Sequence, residues 1–183
     1  QGKTEEATNA YQKCISINKN YAESYINLGI ALRQLGKTED SIEVFTKILL
    51  INPDFAEAYY HLVPSLRGIY FKKHNSDLLN IVTSLLDKKT LVRPRDIIDA
   101  GLSLLKLDTK LKKYLEQDYL DGEELKPLEV IVDLSKLPLL LKLMSVCPIS
   151  DIDLERLLKK LRAKLIMSID DYISSSDLLA FQS

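Results

Sequence analysis

The stretch AESYINLGIALRQLGKTEDSIEVFTKILLINPDF, residues 22–55, contains the pattern that decides the fold of the first part of this chain. The pattern returns when the sequence is shifted by 34 residues, so that Gly-Lys-Thr-Glu at residues 2–5 aligns with residues 36–39. At the same offset, Tyr-Ala-Glu at residues 21–23 aligns with Phe-Ala-Glu at residues 55–57. Apolar residues recur at three- and four-residue steps, which is typical of amphipathic helices. A fixed period with helical spacing predicts stacked helical hairpins.

Small and turn-forming residues within this stretch indicate where two helices meet and where the chain reverses. Gly29 and Ser41 are small, so the two helices are predicted to approach closely at these positions. Gly36 suits the left-handed residue that ends a helix, and Thr38 is predicted to cap the second helix. Pro53 ends that helix, because proline lacks the amide that would continue the hydrogen-bond ladder.

The pattern resembles the tetratricopeptide repeat (TPR) family over residues 2–62. The residues that match it best are Tyr25, Leu28, Gly29, Leu32, Ser41, Phe45, Ile48 and Pro53. The resemblance implies an all-α fold, with helical hairpins arranged in a right-handed superhelix. It also implies a non-catalytic scaffold that binds another protein or peptide.

Residues 22–55 form one full copy of the repeat, and both neighbouring copies are damaged. The first copy opens at Gly2, which aligns with the turn glycine, so its first helix is missing. The third copy loses the pattern at Val63 and Pro64. We therefore expect the chain to be a piece of a longer protein. The expected organisation is TPR repeats in residues 1–71 and a compact helical domain in residues 72–183.

Residues 72–183 carry further helical signals. Helix starts are predicted from capping residues or first-turn prolines at Asn75 or Ser76, at Pro94 and at Ser150. Two short helical runs are expected at residues 123–132 and 134–144. The helix after Ser150 is long and rich in leucine, and a last helix is expected to begin near Ser176.

Part of this region resembles a helical segment found between TPR repeats and a methyltransferase domain in some bacterial proteins. The resemblance lies in residues 140–166 and rests on LLKLM at 140–144, CPISD at 147–151 and LERLL at 154–158. It implies a bacterial protein in which the chain is the N-terminal accessory part of an S-adenosylmethionine-dependent enzyme, whose catalytic domain would lie beyond Ser183.

Charge and cysteine content limit the classes of function. The chain carries 25 lysines and arginines against 26 aspartates and glutamates, so it lacks the basic bias of a nucleic-acid-binding protein. Its apolar runs are shorter than the 18 or more residues of a membrane span. Cys14 and Cys147 lie in apolar helical patterns and are expected to be buried free thiols, which fits a reducing, cytoplasmic compartment.

Chemistry-bearing residues do not form a recognisable site. His61 and His74 lack neighbouring ligands at metal-binding spacing, and the glycines form no G-x-G pair of the kind that binds nucleotides. No catalytic, cofactor-binding or metal-binding residue is predicted. A run of basic residues on the helix after Ser150 is interpreted as a solvated face, not as a phosphate-binding patch.

The TPR resemblance also implies which side chains face the concave surface of the repeats. They are Glu23, Ile26, Asn27, Ile30, Arg33 and Gln34 in the full copy, and Glu57, Tyr60, His61 and Pro64 in the third. Asn27 is the most informative of them, because an amide can donate to and accept from a peptide backbone at once. Arg33 can pair with a carboxylate. The same side chains fit equally well the solvated surface of an array that acts only as a spacer.

Self-association is a third interpretation. A cut array exposes apolar helix faces at its ends, and two such faces can pair to give a homodimer.

Overall fold

The structure is a computed structural model that describes residues 2–88, 90–116 and 126–180, with side chains described as far as residue 167. Within these ranges the chain forms helices and no strand, which confirms the all-α prediction. The helices are α1 (Gly2–Ile17), α2 (Ala22–Gln34), α3 (Thr38–Ile51), α4 (Ala56–Leu66), α5 (Ser76–Leu85), α6 (Pro94–Lys106), α7 (Thr109–Leu115), α8 (Pro127–Leu134), α9 (Pro138–Val146) and α10 (Ile152–Ala180).

Helices α2 and α3 form the central hairpin and approach each other closely at Gly29. The Oγ of Ser41 donates a 2.7 Å hydrogen bond to the Gly29 carbonyl oxygen. The ring of Phe45 is fully buried, and a Cβ atom on residue 29 would lie 2.5 Å from two of its atoms. Helix α1 packs against α2, and α4 packs against both α3 and α2. The predicted close contact of the two repeat helices is therefore confirmed.

The turn between α2 and α3 is a Schellman motif. Gly36 has a φ of +77°, which suits a residue without a Cβ atom. Its amide donates to the Arg33 carbonyl at 3.0 Å, and the Lys37 amide donates to the Leu32 carbonyl at 2.9 Å. These two residues complete the turn, so Thr38 is already the first residue of α3. The predicted cap at Thr38 is therefore wrong, and no side chain caps α3.

The regular hairpins stop after α4. This helix continues through Pro64 to Leu66, and Gly68 then takes a φ of +64°. The amide of Phe71 donates to Ser103 Oγ at 3.0 Å, which attaches the following segment to α6. Helix α5 packs against α3 and α6, while α6 packs against α4. The later helices thus cover the end of the hairpin stack.

One hydrophobic core extends from Tyr25 in α2 to Leu161 in α10. Ion pairs also link the two parts of the sequence, with Arg67 bonded to Asp96 at 3.2 Å and Lys88 to Asp54 at 3.3 Å. The division into domains at residues 71 and 72 stays a prediction.

Side-chain caps or a first-turn proline explain where three of the later helices begin. Asn75 accepts a hydrogen bond from the Leu78 amide at 2.9 Å, and Pro94 is the first residue of α6, as predicted. The predicted cap at Ser150 is wrong, because Asp151 is the residue that accepts from the Leu154 amide, at 3.1 Å.

The start of α10 is held by a cationic side chain from α6. Lys106 Nζ lies 2.6 Å from Asp151 and 2.9 Å from Asp153. Partial burial acts to lower the Lys106 pKa, but its hydrogen bonds to the two carboxylates outweigh burial and raise that pKa. From this anchor α10 runs unbroken to Ala180. The expected separate helix near Ser176 is therefore wrong.

The two short helices predicted after residue 122 begin and end later in the sequence than predicted. The run expected at 123–132 is α8, Pro127–Leu134, because Pro127 opens the helix; residues 123–125 lie outside the described residues. The run expected at 134–144 is α9, Pro138–Val146, which again opens with a proline.

The two cysteines differ in environment. Cys14 is exposed, so its predicted burial is wrong; α1 packs on α2, and Cys14 lies on another face of α1. Cys147 is half-buried, and burial raises the pKa of its thiol. Both thiols are free.

Replacement of Gly29 by alanine is expected to destabilise the protein by about 1–3 kcal/mol, because the fully buried Phe45 ring would have to move. Gly101→Ala in α6 is the matched control. Its Cβ would meet Leu143 at an ordinary 3.4 Å, and alanine is favoured over glycine in a helix by about 1 kcal/mol. Urea denaturation of both variants measures the difference. Equal stability of the two variants would contradict the close-contact account.

Candidate functional site

The predicted binding residues lie on adjacent helices. Helix α4 packs beside α2, and the α2–α4 face is defined here by Asn27, Ile30, Arg33, Tyr60 and His61. Asn27 precedes Ile30 by three residues and Arg33 follows it by three, so the three side chains form one stripe along α2.

Arg33 and His61 connect the two helices. Arg33 Nη1 donates a long, 3.5 Å hydrogen bond to the His61 carbonyl oxygen, and both residues are half-buried. The His61 ring stacks on Phe45 with 5.9 Å between centroids and meets the edge of Tyr60 at 5.3 Å. Arg33 is therefore oriented by α4, and the face rests on the ring that packs against Gly29.

The electrostatics of this face keep His61 neutral at pH 7. Burial lowers the pKa of His61 below its usual 6.5, and the positive charge of Arg33 lowers it further. The carboxylate of Glu57 opposes this shift without cancelling it. Arg33 is consequently the cationic group of the α2–α4 face.

Asn27 and Tyr60 are the groups of this face most available to a ligand. Among the described residues, none forms a hydrogen bond with the half-buried side-chain amide of Asn27. Tyr60 is 73% exposed. Ile30 lies between Asn27 and Arg33 on α2, is half-buried and packs against the core. The face thus combines a partly exposed amide that has no partner among the described residues, an aromatic ring and a guanidinium group.

Other predicted residues of the face behave differently. Glu23 accepts a 2.9 Å hydrogen bond from Tyr21 at the start of α2, and this bond raises the pKa of Tyr21. Gln34 is exposed at the other end of the helix. Ile26 was expected to face the groove but is 3% exposed. That expectation is wrong, because α2 packs against α1, α3 and α4, and the Ile26 side chain is buried among these helices.

The sequence analysis did not predict the concave regions of the structure, and two of them border the repeats. A cavity of about 330 Å³ lies between α1, α2 and α3, with Gln12, Tyr25 and Lys47 among its lining residues. A groove of about 520 Å³ lies between the first turns of α3, where Asp40 lies, and the segment that contains Lys73. Both are formed by segments far apart in sequence. The sequence shows the acidic pair Glu39 and Asp40 and the basic pair Lys72 and Lys73, but it gives no sign that the two pairs face each other.

In the part of the chain that the structure describes, no group of three or more histidine, cysteine, aspartate or glutamate side chains is arranged to hold a metal ion. Within the same residues, the helices do not combine the length and the apolar character that a membrane span requires.

Comparison with known protein families identifies the N-terminal segment. A TPR repeat model matches residues 1–36, and a tetratricopeptide repeat model matches residues 22–55. Residues 1–55 are therefore tetratricopeptide repeats, as the 34-residue period predicted. Comparison with curated proteins and with solved structures gave no match.

The lowered pKa of His61 predicts a specific loss of stability in acid. Because the unfolded chain binds the proton more readily, the free energy of unfolding is expected to fall as the pH drops through 6.5 toward the lower pKa of the folded state. His61→Gln should flatten this dependence, measured by urea denaturation at about pH 7.5 and about pH 5.5. His74→Gln, at an exposed position, is the control. An unchanged pH dependence in His61→Gln would contradict the prediction.

Proposed function

We propose that the tetratricopeptide repeats of this chain, completed by α4, bind an extended segment of another protein along the α2–α4 face. Repeats of this family are generally protein-interaction scaffolds. The observation that carries the proposal is the side-chain amide of Asn27. It is partly exposed and has no hydrogen-bond partner among the described residues.

The chemistry of the face favours a peptide backbone as the ligand. An asparagine amide donates one hydrogen bond and accepts another, which matches the carbonyl and amide groups of an extended chain. Arg33 adds a charge-assisted hydrogen bond to a carboxylate or carbonyl oxygen of the same segment. Tyr60 offers a large exposed ring for apolar contact.

The proposed role is non-catalytic. The His61 ring packs against the rings of Phe45 and Tyr60, and repeats of this family are typically non-catalytic. The alternative role as the accessory part of a methyltransferase stays a prediction, as do the enzyme domain beyond Ser183, a bacterial origin and a cytoplasmic location.

Replacement of Asn27 and Arg33 by alanine is expected to weaken peptide binding about 100-fold or more, because the two hydrogen bonds of the Asn27 amide and the charge-assisted bond of Arg33 are lost. Peptides selected from a random display library on the wild-type protein would serve as probes, with affinity measured by fluorescence anisotropy. The melting temperature should stay nearly unchanged, since the Arg33 bond is long at 3.5 Å and Asn27 has no partner within the described residues.

Gln12→Ala is the matched control for this experiment. Gln12 is exposed on α1 and lines the cavity between α1, α2 and α3. That cavity shares no lining residue with the α2–α4 face. Its replacement should leave peptide affinity unchanged. Equal affinity of the selected peptides for wild type and the Asn27/Arg33 double variant would contradict the proposal and would indicate that the repeats act only as a spacer.

A further inference from the structure

The two helices that form the α2–α4 face carry few charges, and these charges lie in a fixed order. With His61 neutral, α2 and α4 contain three charged side chains, and all three are exposed or half-buried. Glu23 lies four residues before Asn27, on the same side of α2. Glu57 lies four residues before His61, on the same side of α4, and its charge acts on that ring. The third charge is Arg33, in the last turn of α2.

The direction of the helices places the two acids at one end of the face. Helices α2 and α4 both pack against α3, and each is joined to it by a short turn. Short turns join antiparallel neighbours, so α2 and α4 run in the same direction. Their first turns, with Glu23 and Glu57, therefore lie at the same end. The face has an acidic end there and a basic end at Arg33.

The length of α2 fixes the separation between the two ends. Arg33 follows Glu23 by ten residues in the same helix, which is a rise of about 15 Å. An extended chain covers that distance in about four or five residues, at roughly 3.3 Å for each residue. Asn27 lies between the two ends, where its amide can bond the backbone of such a segment.

The next repeat shows what pairs with an arginine at this position. Arg67 aligns with Arg33 at the 34-residue offset. The Nη2 atom of Arg67 lies 3.2 Å from a carboxylate oxygen of Asp96, which belongs to α6. Within the described residues, Arg33 pairs with no carboxylate and makes only its long bond to the His61 carbonyl. The chain supplies the carboxylate for one arginine, and the other is left for a ligand.

The acidic end is open as well. Glu57 is exposed and has no hydrogen bond or ion pair within the described part of the chain. Glu23 accepts a hydrogen bond from Tyr21 at Oε2, which leaves its Oε1 atom without a described partner. Neither acid is paired with a described lysine or arginine. A basic side chain placed beside them would be attracted by both carboxylates.

We propose that the segment bound by the α2–α4 face carries an acidic side chain at Arg33 and, at the other end, a basic side chain beside Glu23 and Glu57. This inference rests on the proposed function, since it names the charge pattern of the same ligand. The two charges are about four or five residues apart, as the length of α2 requires. Between them the segment passes Ile30 and the exposed ring of Tyr60, so apolar side chains suit the intervening positions.

Peptides selected on the wild-type protein from a random display library test the pattern. Those whose affinity falls in the Asn27→Ala variant are ligands of the face. They are expected to contain an acidic and a basic residue at this spacing, in one constant order. An exchange of the two residues keeps the composition and net charge of the peptide. It should weaken binding about 10- to 100-fold by fluorescence anisotropy, because the charge-assisted bond to Arg33 is lost and like charges meet.

Reversal of the charges on the protein tests the same contacts from the other side. The variant Glu23→Lys/Glu57→Lys/Arg33→Glu is expected to prefer the exchanged peptide at least about 10-fold. Glu39→Lys is the matched control, since Glu39 is the second residue of α3, as Glu23 is of α2, but lines the groove beside α5. It should leave both affinities unchanged. Circular dichroism checks helix content, and the peptide exchange uses the wild-type protein, so it decides the question even where the reversed variant does not fold.

The outcomes separate this inference from the proposed function. Asn27-dependent peptides without the charge pattern would overturn the inference and leave the proposed function standing. Equal affinity of a peptide and its exchanged form would do the same. If no selected peptide depends on Asn27, the proposed function fails, and this inference fails with it.

Discussion

The close approach of α2 and α3 at Gly29 is the constraint on which the rest of the structure depends. A missing side chain on one helix leaves room for the Phe45 ring of the other, and the Ser41 hydroxyl closes the contact with a hydrogen bond to the Gly29 carbonyl. Helix α4 packs on both members of this pair. The same Phe45 ring stacks on His61, so the contact that fixes the hairpin also supports the α2–α4 face.

Local requirements were the part of this fold that could be predicted from the sequence. A helix contact without room for a Cβ needs glycine, and a left-handed turn residue favours glycine, so Gly29 and Gly36 are recognisable without the structure. Gly36 also has a counterpart 34 residues earlier at Gly2, and this period, together with the helical spacing, predicted the hairpins. The predicted cap at Thr38 was wrong because the Schellman turn uses Gly36 and Lys37, so that Thr38 is already the first residue of α3. Asp151 replaced Ser150 as a cap because a carboxylate there bonds both an amide and Lys106.

Tertiary contacts were the part that could not be predicted. Cys14 sits in an apolar pattern, but its burial depends on whether another helix covers that face of α1. The family pattern placed Asn27 and Arg33 on a common face, yet the contact of Arg33 with His61 depends on how α4 crosses α2. An apolar groove between α8, α9 and α10 is formed by three helices whose spacing along the chain carries no periodic signal. Leucine-rich helices alone do not reveal which of their apolar side chains stay uncovered.

The Lys106 anchor has a mechanical consequence for α10. The ion pairs with Asp151 and Asp153 hold the helix at its first turn, and its 29 residues extend about 43 Å from that point. The buried side chains of Leu154, Leu157 and Leu161 hold the next turns of α10 against the core. The direction of the whole helix is therefore set within its first three turns, where a lysine of α6 supplies the polar contacts and three leucines supply the apolar ones.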